Sequence, residues 1–210
     1  AADEEITLID TVRYNGLEVG RKYSVTGTLV DKATGKEILD DAGNKITASN
    51  EFTAEKLNGT IEITFKFSGV SLAGKTTVAF EHMYTDGKEV AVHADLKDEK
   101  QTEYFPSVHT TATSNDTEDH VVGANEKVTI TDNVALKALK LGTEYTLSGI
   151  LMNATTGKPI VIDGNTIIAR RTFTADAHEM IVPLTYELNA SQLAGTTTVV
   201  FENLYSDGAL

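Results

Sequence analysis

Hydrophobic and polar side chains alternate along most segments of this 210-residue sequence, which is the pattern of a β-strand with one buried face. The clearest segment places four large apolar residues on one face, namely Ile61, Ile63, Phe65 and Phe67, between polar residues on the other. The same alternation occurs later in the chain at Val182, Leu184, Tyr186 and Leu188, with Pro183 in an outward position. Because proline cannot donate a ladder hydrogen bond, Pro183 predicts an edge strand or an edge position within a strand.

One sequence pattern occurs twice, which indicates a tandem duplication. The stretch 72–84 matches the stretch 193–205, residues 6–12 match residues 128–134, and residues 17–29 match residues 139–151. No window sustains the apolar spacing of a helix, whereas short strand-like segments follow one another at close spacing. We therefore predict an all-β protein of two modules, residues 1–105 and residues 106–210, each a sandwich or a barrel.

The composition of the chain excludes several classes of partner and of stabilising site. The chain has 31 acidic against 18 basic residues, a formal charge of -13, which argues against nucleic acid and anionic membranes as partners. No apolar run approaches the length of a transmembrane helix, and no signal peptide is recognisable, so we expect no membrane insertion. Cysteine is absent, which excludes disulfides and thiolate zinc sites.

Four carboxylates lie on otherwise apolar strand faces, two in each copy. Glu81 shares its face with apolar neighbours on both sides, and Glu202 does so at the matched position of the second copy. Asp10 and Asp132 form a second matched pair in the first strand of each copy. A carboxylate is costly to bury without a partner, and two that meet share a proton, so that one pKa rises. The alternative, that each acid bonds a backbone group or a lysine and fixes the strand register, stays open.

Two further segments occur once each. The first runs from Val90 through His93 to Gln101 and Thr102, and the second runs from Pro106 to Thr113, where Thr110 shares a face with Val108 and Ala112 and so points inward. Taken alone, a histidine of this kind is usually structural and threonine is a common strand residue. Residues 40–44 are a candidate cation loop, but they lack EF-hand spacing and fit a solvated turn. We expect no metal and no cofactor.

Together these segments resemble a known family. The runs Val78 to Glu81 and Val199 to Glu202, and the spacing of acids and glutamine from His93 to Thr102, resemble the VaFE repeats of Gram-positive surface proteins, the T-Q ester-bond domains. The resemblance covers nearly the whole chain and implies immunoglobulin-like sandwiches in the stalks of cell-wall-anchored adhesins and fibres. It also implies that each domain crosslinks itself and is not an enzyme, since a first-strand threonine forms an ester with a last-strand glutamine and ammonia leaves.

The resemblance assigns roles residue by residue. It implies that Gln101 is the acyl donor of the first copy and His93 its activating base, that Asp10 and Glu81 are the acid pair, and that Thr110 is the nucleophile of the second copy. In that copy the acid pair is Asp132 with Glu202. Such chemistry needs an adjacent base for the weak hydroxyl nucleophile, stabilisation of the oxyanion and a dry interior, so we expect a buried site.

Neither copy contains the whole set. The first copy lacks a strand that would carry its threonine, and the second lacks the segment from histidine to glutamine. We therefore expect that the chain is part of a longer array of repeats on the bacterial surface, anchored to the cell wall through other regions. Its partners are then neighbouring repeats, and other domains bind a host ligand. Isopeptide-bond sandwiches, which use lysine where Thr110 stands, and an adhesin domain that binds a ligand without a crosslink are the alternatives.

Overall fold

A computed structural model describes residues 5–115 and 120–206 of the chain. It divides into two compact units, Ala1–Phe105 and Pro106–Leu210, here called module one and module two. Within the described residues no helix is long and apolar enough to cross a membrane. Almost every regular element is a strand, and the prediction of two tandem β-sandwich modules is confirmed.

The described residues of module one form seven strands: β1 (Glu5–Tyr14), β2 (Lys22–Asp31), β3 (Thr47–Thr53), β4 (Gly59–Ser68), β5 (Lys75–Thr85), β6 (Lys88–His93) and β7 (Thr102–Phe105). Antiparallel strands β1 and β4 form one sheet. The other sheet has the order β3-β2-β5-β6, and β7 also pairs with β5. A single 3-10 turn (Gly69–Leu72) precedes β5, and the Ser68 side chain caps it by accepting from Val70 N.

The core of module one lies between its two sheets. Ile63, Phe65 and Phe67 point inward from β4 as their alternation predicts, and they join Val25 and Leu29 of β2 in one buried cluster. The core packs directly against Gly27 of β2, where an added Cβ would lie 2.4 Å from the Ile63 side chain and 2.6 Å from that of Phe65. A glycine is required there because any side chain would collide with the core.

Module two repeats this plan, with nine strands in the part that the structure describes: β8 (Ser107–Ser114), β9 (Val128–Lys137), β10 (Glu144–Asn153), β11 (Lys158–Pro159), β12 (Val161–Ile162), β13 (Asn165–Thr166), β14 (Ile168–Thr174), β15 (Met180–Leu188) and β16 (Thr198–Ser206). One sheet has the order β15-β9-β8, so Pro183 does lie in an edge strand. The other has the order β11-β10-β14, with β16 also paired to β10, while β12 and β13 form a small hairpin. A 3-10 turn (Ser191–Leu193) precedes β16.

The two modules differ at complementary edges. In module two, β8 covers one edge of β9 in a register that places Thr110 opposite Val134. Strand β1 is the counterpart of β9, and within the described residues it pairs with β4 alone. In module one, β6 and β7 cover β5, whereas its counterpart β16 pairs with β10 alone in the described part of module two. These two edges determine which parts of each site are present.

Candidate acid-pair sites

The centre of module one holds a pair of carboxyl groups from opposite sheets. Asp10 lies in the middle of β1, and Glu81 lies in β5, opposite Gly27 of β2. Strand alternation turns both side chains toward the core. Glu81 is 3% exposed and hydrogen-bonds the Asp10 carboxyl.

A hydrogen bond between two carboxyl groups requires a proton on one of them. Burial raises the pKa of Glu81 to about 9, and the hydrogen bond to Asp10 and the charge of Asp10 add to the shift. No other donor among the described residues reaches Asp10 Oδ2 or Glu81 Oε1, as expected where the two acids satisfy each other. Glu81 is therefore the protonated member of the pair at neutral pH.

His93 lies beside this pair at the end of β6, opposite Glu81 in the β5–β6 ladder. Its Nδ1 is 3.0 Å from Glu81 Oε2, and its Nε2 is 3.2 Å from Asp98 Oδ2. Carboxyl oxygens thus hold both ring nitrogens and fix the plane of the imidazole. Asp98 is a site residue to which the sequence assigned no role, and its only signal was its place among the acids between His93 and Gln101.

Gln101 occupies the turn that leads into β7, so it precedes the last strand and does not lie within it. Its backbone is fixed at both ends, since Gln101 N donates to Asp98 O at 3.3 Å and Gln101 O accepts from Ala79 N at 3.2 Å. Together with Asp10, Glu81 and His93 it lines a cavity of about 580 Å³. Gln101 and the acid pair of module one therefore meet in one place.

The expectation of a fully buried site is wrong for module one. The His93 side chain is 47% exposed, and residues 8–13 of β1 form one wall of the cavity. The physical reason is the position of β6 at a sheet edge, because in the described residues it pairs with β5 alone and all six of its residues are exposed.

Lys32 supports the turn that carries Gln101. Its Nζ donates to Glu99 Oε1 at 2.6 Å and to Thr102 Oγ1 at 2.9 Å. The Thr102 hydroxyl in turn donates to Asp98 O at 2.7 Å. No sequence pattern pointed to this role, since Lys32 follows β2 in a surface turn and the second copy has Ala154 at the matched position.

Module two contains the matching acid pair together with the threonine. Asp132 of β9 is fully buried, and Glu202 of β16 hydrogen-bonds it. The Thr110 hydroxyl donates to Asp132 Oδ1 and also hydrogen-bonds Glu202. Burial is the main cause that raises the pKa of Glu202, and the hydrogen bond to Asp132 and its charge contribute in the same direction.

The predicted site residues thus fall into two partial sites. Asp10, Glu81, His93 and Gln101 meet in module one, and Thr110, Asp132 and Glu202 meet in module two. The candidate cation loop proves to be a capped turn, in which the Asp40 carboxylate accepts from Ala42 N and Asn44 N and its pKa is lowered by these bonds. Among the described residues no three acidic or histidine side chains form a metal-binding group.

The model of one family, the T-Q ester bond containing domain, matches the chain twice, over residues 1–104 and 106–209. The chain belongs to this family. Each match covers one module, so both partial sites lie in domains of the same kind. No curated protein sequence matches the chain.

Several solved structures show a distant likeness to this family member, among them the following three. A bacterial adhesin from Mobiluncus mulieris containing intramolecular disulfide, isopeptide and ester bond crosslinks matches at 14% identity, over 99% of this chain and 86% of its own, with a TM-score of 0.41. A second crystal form of that adhesin matches at 14% identity over 95% and 72%, with a TM-score of 0.37. An Amycolatopsis orientalis exo-chitosanase matches at 17% identity over 90% and 23%, with a TM-score of 0.30. Family membership therefore rests on the family model.

Proposed function

We propose that a module of this kind, when it carries both residues, forms an ester between a threonine of its first strand and a glutamine that precedes its last strand, without an external enzyme. The observation that carries this proposal is the hydrogen bond from Thr110 to Asp132 inside an acid pair. The matched acid pair of module one lines the same cavity as Gln101. Placed on one module, the two halves bring a hydroxyl and a side-chain amide to the same two carboxyl groups.

The arrangement suggests how protons move. The threonine hydroxyl donates to the aspartate of the pair, so that aspartate is positioned to accept its proton as the oxygen attacks the glutamine carbonyl carbon. The protonated glutamate is the donor available to the developing oxyanion and then to the leaving nitrogen. The C–O bond of the ester forms, the C–N bond of the amide breaks, and ammonia leaves with the transferred protons.

This geometry changes the role that the resemblance implied for His93. Both of its ring nitrogens face carboxyl oxygens, at 3.0 Å and 3.2 Å, while the hydroxyl of the nucleophile in module two faces Asp132. We therefore assign the base to the aspartate. His93 holds Glu81 in place and links it to Asp98.

The biological role we infer is that of a stalk or fibre module in a bacterial surface adhesin, outside the cell. A covalent link across the first and last strands would stabilise a domain that has no cysteine. In the chain-entropy model for crosslinks, closing a loop of about 100 residues stabilises by roughly 4 to 5 kcal/mol. Neighbouring repeats would be its partners, with cell-wall anchoring and ligand binding supplied by other regions.

The test is an extended protein in which each module is completed from the sequence of the other. Residues 106–126 are added before Glu5, and residues 88–105 are added after Gly208, following the alignment of the two copies. Folding is expected to lower the intact mass by two ammonia molecules. When the original Gln101 is replaced by Ala, module one should no longer lose its ammonia, and the intact mass should fall by one ammonia only. Replacing the original Thr110 by Ala should have the same effect on module two.

The matched control is Thr111→Ala, because Thr111 is the exposed neighbour of Thr110 on β8. This variant is expected to lose both ammonia molecules. A folded extended protein that keeps its full mass contradicts the proposal.

A further inference from the structure

The two acid pairs do not have the same surroundings. Tyr186 of β15 is 2% exposed, and its hydroxyl has no hydrogen-bond partner among the described residues. The matched position of module one is Phe65, which is also fully buried. Since a buried hydroxyl without a partner is costly, its presence in one module alone requires an explanation.

The backbone places this hydroxyl next to the second acid pair. The Tyr186 hydroxyl would lie 2.0 Å from a Cβ added to Gly149, and Gly149 is the strand partner of Glu202. On the other side, Asp132 pairs with Leu184, so the ring of Tyr186 is its diagonal neighbour on the same sheet face. The hydroxyl therefore lies between the strands that supply the two carboxyl groups.

The ionisable groups that act on Tyr186 are the two members of the pair. Asp132 faces it from β9 and Glu202 from β16, and burial, together with both carboxylates, raises the pKa of the phenol. At the point of closest approach, β10 presents Gly149, which has no ionisable group. The buried atoms Asp132 Oδ2 and Glu202 Oε1 are, like the phenol, without a partner in the described part of the chain beyond the pair itself. The Tyr186 hydroxyl is a donor beside these acceptors that has no bond of its own in the described part of the chain.

We propose that the Tyr186 hydroxyl donates a hydrogen bond to the Asp132–Glu202 pair when the pair loses its shared proton. Tyr186 is thus a positioning residue of module two that module one lacks. Its relevance to ester formation rests on the function proposed above, but the contact itself does not. A donor that binds the ionised form favours it, so the second pair should give up its proton at a lower pH than it would with phenylalanine at this position.

The experiment is a pH titration of the 210-residue chain by NMR, with ¹³C-labelled carboxyl groups in glutamate and aspartate and ¹³Cζ-labelled tyrosine. Tyr186→Phe is expected to raise the titration midpoint of the Glu202 carboxyl by about one pH unit, which corresponds to the free energy of one hydrogen bond to a charged group. The reciprocal variant, Phe65→Tyr, is expected to lower the midpoint of Glu81. Phe65 approaches Gly27 as Tyr186 approaches Gly149, so the added hydroxyl has a matching position.

A second readout separates a hydrogen bond from a mere change in polarity. The ¹³Cζ signal of Tyr186, assigned as the signal missing in Tyr186→Phe, is expected to shift with the same midpoint as Glu202. An unchanged Glu202 midpoint in Tyr186→Phe, or a Tyr186 signal that does not follow that midpoint, overturns the proposal. If Tyr186→Phe does not fold, the reciprocal variant decides: a Glu81 titration midpoint that stays unchanged in Phe65→Tyr also overturns the proposal. Neither module of this chain contains both the threonine and the glutamine, so the result does not depend on ester formation.

Discussion

Replacing Glu81 by Gln should make module one more stable at alkaline pH than the unmodified protein. A glutamine keeps the shape of the protonated side chain, and its amide can donate to Asp10 as the protonated carboxyl does. The folded protein keeps the proton of Glu81 up to a pKa of about 9, whereas the ordinary value is 4.5. Between these values the folded state binds more protons than the unfolded state. The contribution of the Glu81 proton to the free energy of unfolding is therefore fully present below pH 4.5 and is lost as pH rises toward 9.

The size of the effect follows from the same linkage. One proton costs about 1.4 kcal/mol for each pH unit, so the upper limit from about pH 5 to about pH 8 is roughly 4 kcal/mol. The cavity beside Glu81 and the exposure of His93 admit water to one side of the pair, which weakens the penalty on the charged form. We therefore expect about 2 kcal/mol. Glu81→Gln should match the unmodified protein near about pH 5 and exceed its free energy of unfolding near about pH 8.

Hydrogen exchange detected by mass spectrometry can measure this difference in module one alone, from protected peptides of β2 and β4, after correction for the intrinsic rate. The matched control is Glu202→Gln, which should change the pH dependence of module two and leave these peptides unaffected. If the two proteins show the same pH dependence in module one, Glu81 does not hold a proton in the fold and the acid-pair account fails.

Three further predictions concern other residues. In the extended protein, His93→Ala should slow the loss of ammonia from module one roughly a hundredfold, because the histidine holds Glu81. The time course of the intact mass measures this rate, and an unchanged rate would show that the ring has no part in the chemistry. Gly27→Ala should destabilise module one by about 1–3 kcal/mol in urea denaturation, since its Cβ would lie 2.4 Å from Ile63 Cδ1; a neutral effect would show that the sheets separate freely. Lys32→Met should raise the exchange rate of the 98–102 turn severalfold by removing the bond to Thr102 at 2.9 Å, and equal protection in both proteins would show that Lys32 does not hold the turn.

The sequence predicted those parts of the molecule that follow a period. Alternation in Ile61 to Phe67 identified the inward face of β4, because a strand between core and solvent must present two different faces. The same logic placed Asp10 and Glu81 on inward faces, and the duplication indicated that both acids matter. Their meeting across the sandwich follows from two inward faces that share one core.

The remaining features of the site lie in turns, which carry no period. Asp98 and Lys32 act through the turn before β7, where hydrogen bonds depend on loop geometry and not on alternation. The position of Gln101 outside β7 has the same origin. The exposure of His93 follows from the position of β6 at the edge of its sheet, and a pattern within β6 contains no information on the order of strands.

The most direct test of the central claim is to map the crosslink in the folded extended protein by tandem mass spectrometry after proteolysis. The account predicts one peptide pair that joins Gln101 to the added copy of Thr110, and a second pair that joins the original Thr110 to the added copy of Gln101. Both pairs should separate on treatment with hydroxylamine at neutral pH, which cleaves esters and leaves a side-chain amide crosslink intact. Linear peptides with free threonine and glutamine side chains, or a linkage that resists hydroxylamine, would contradict it.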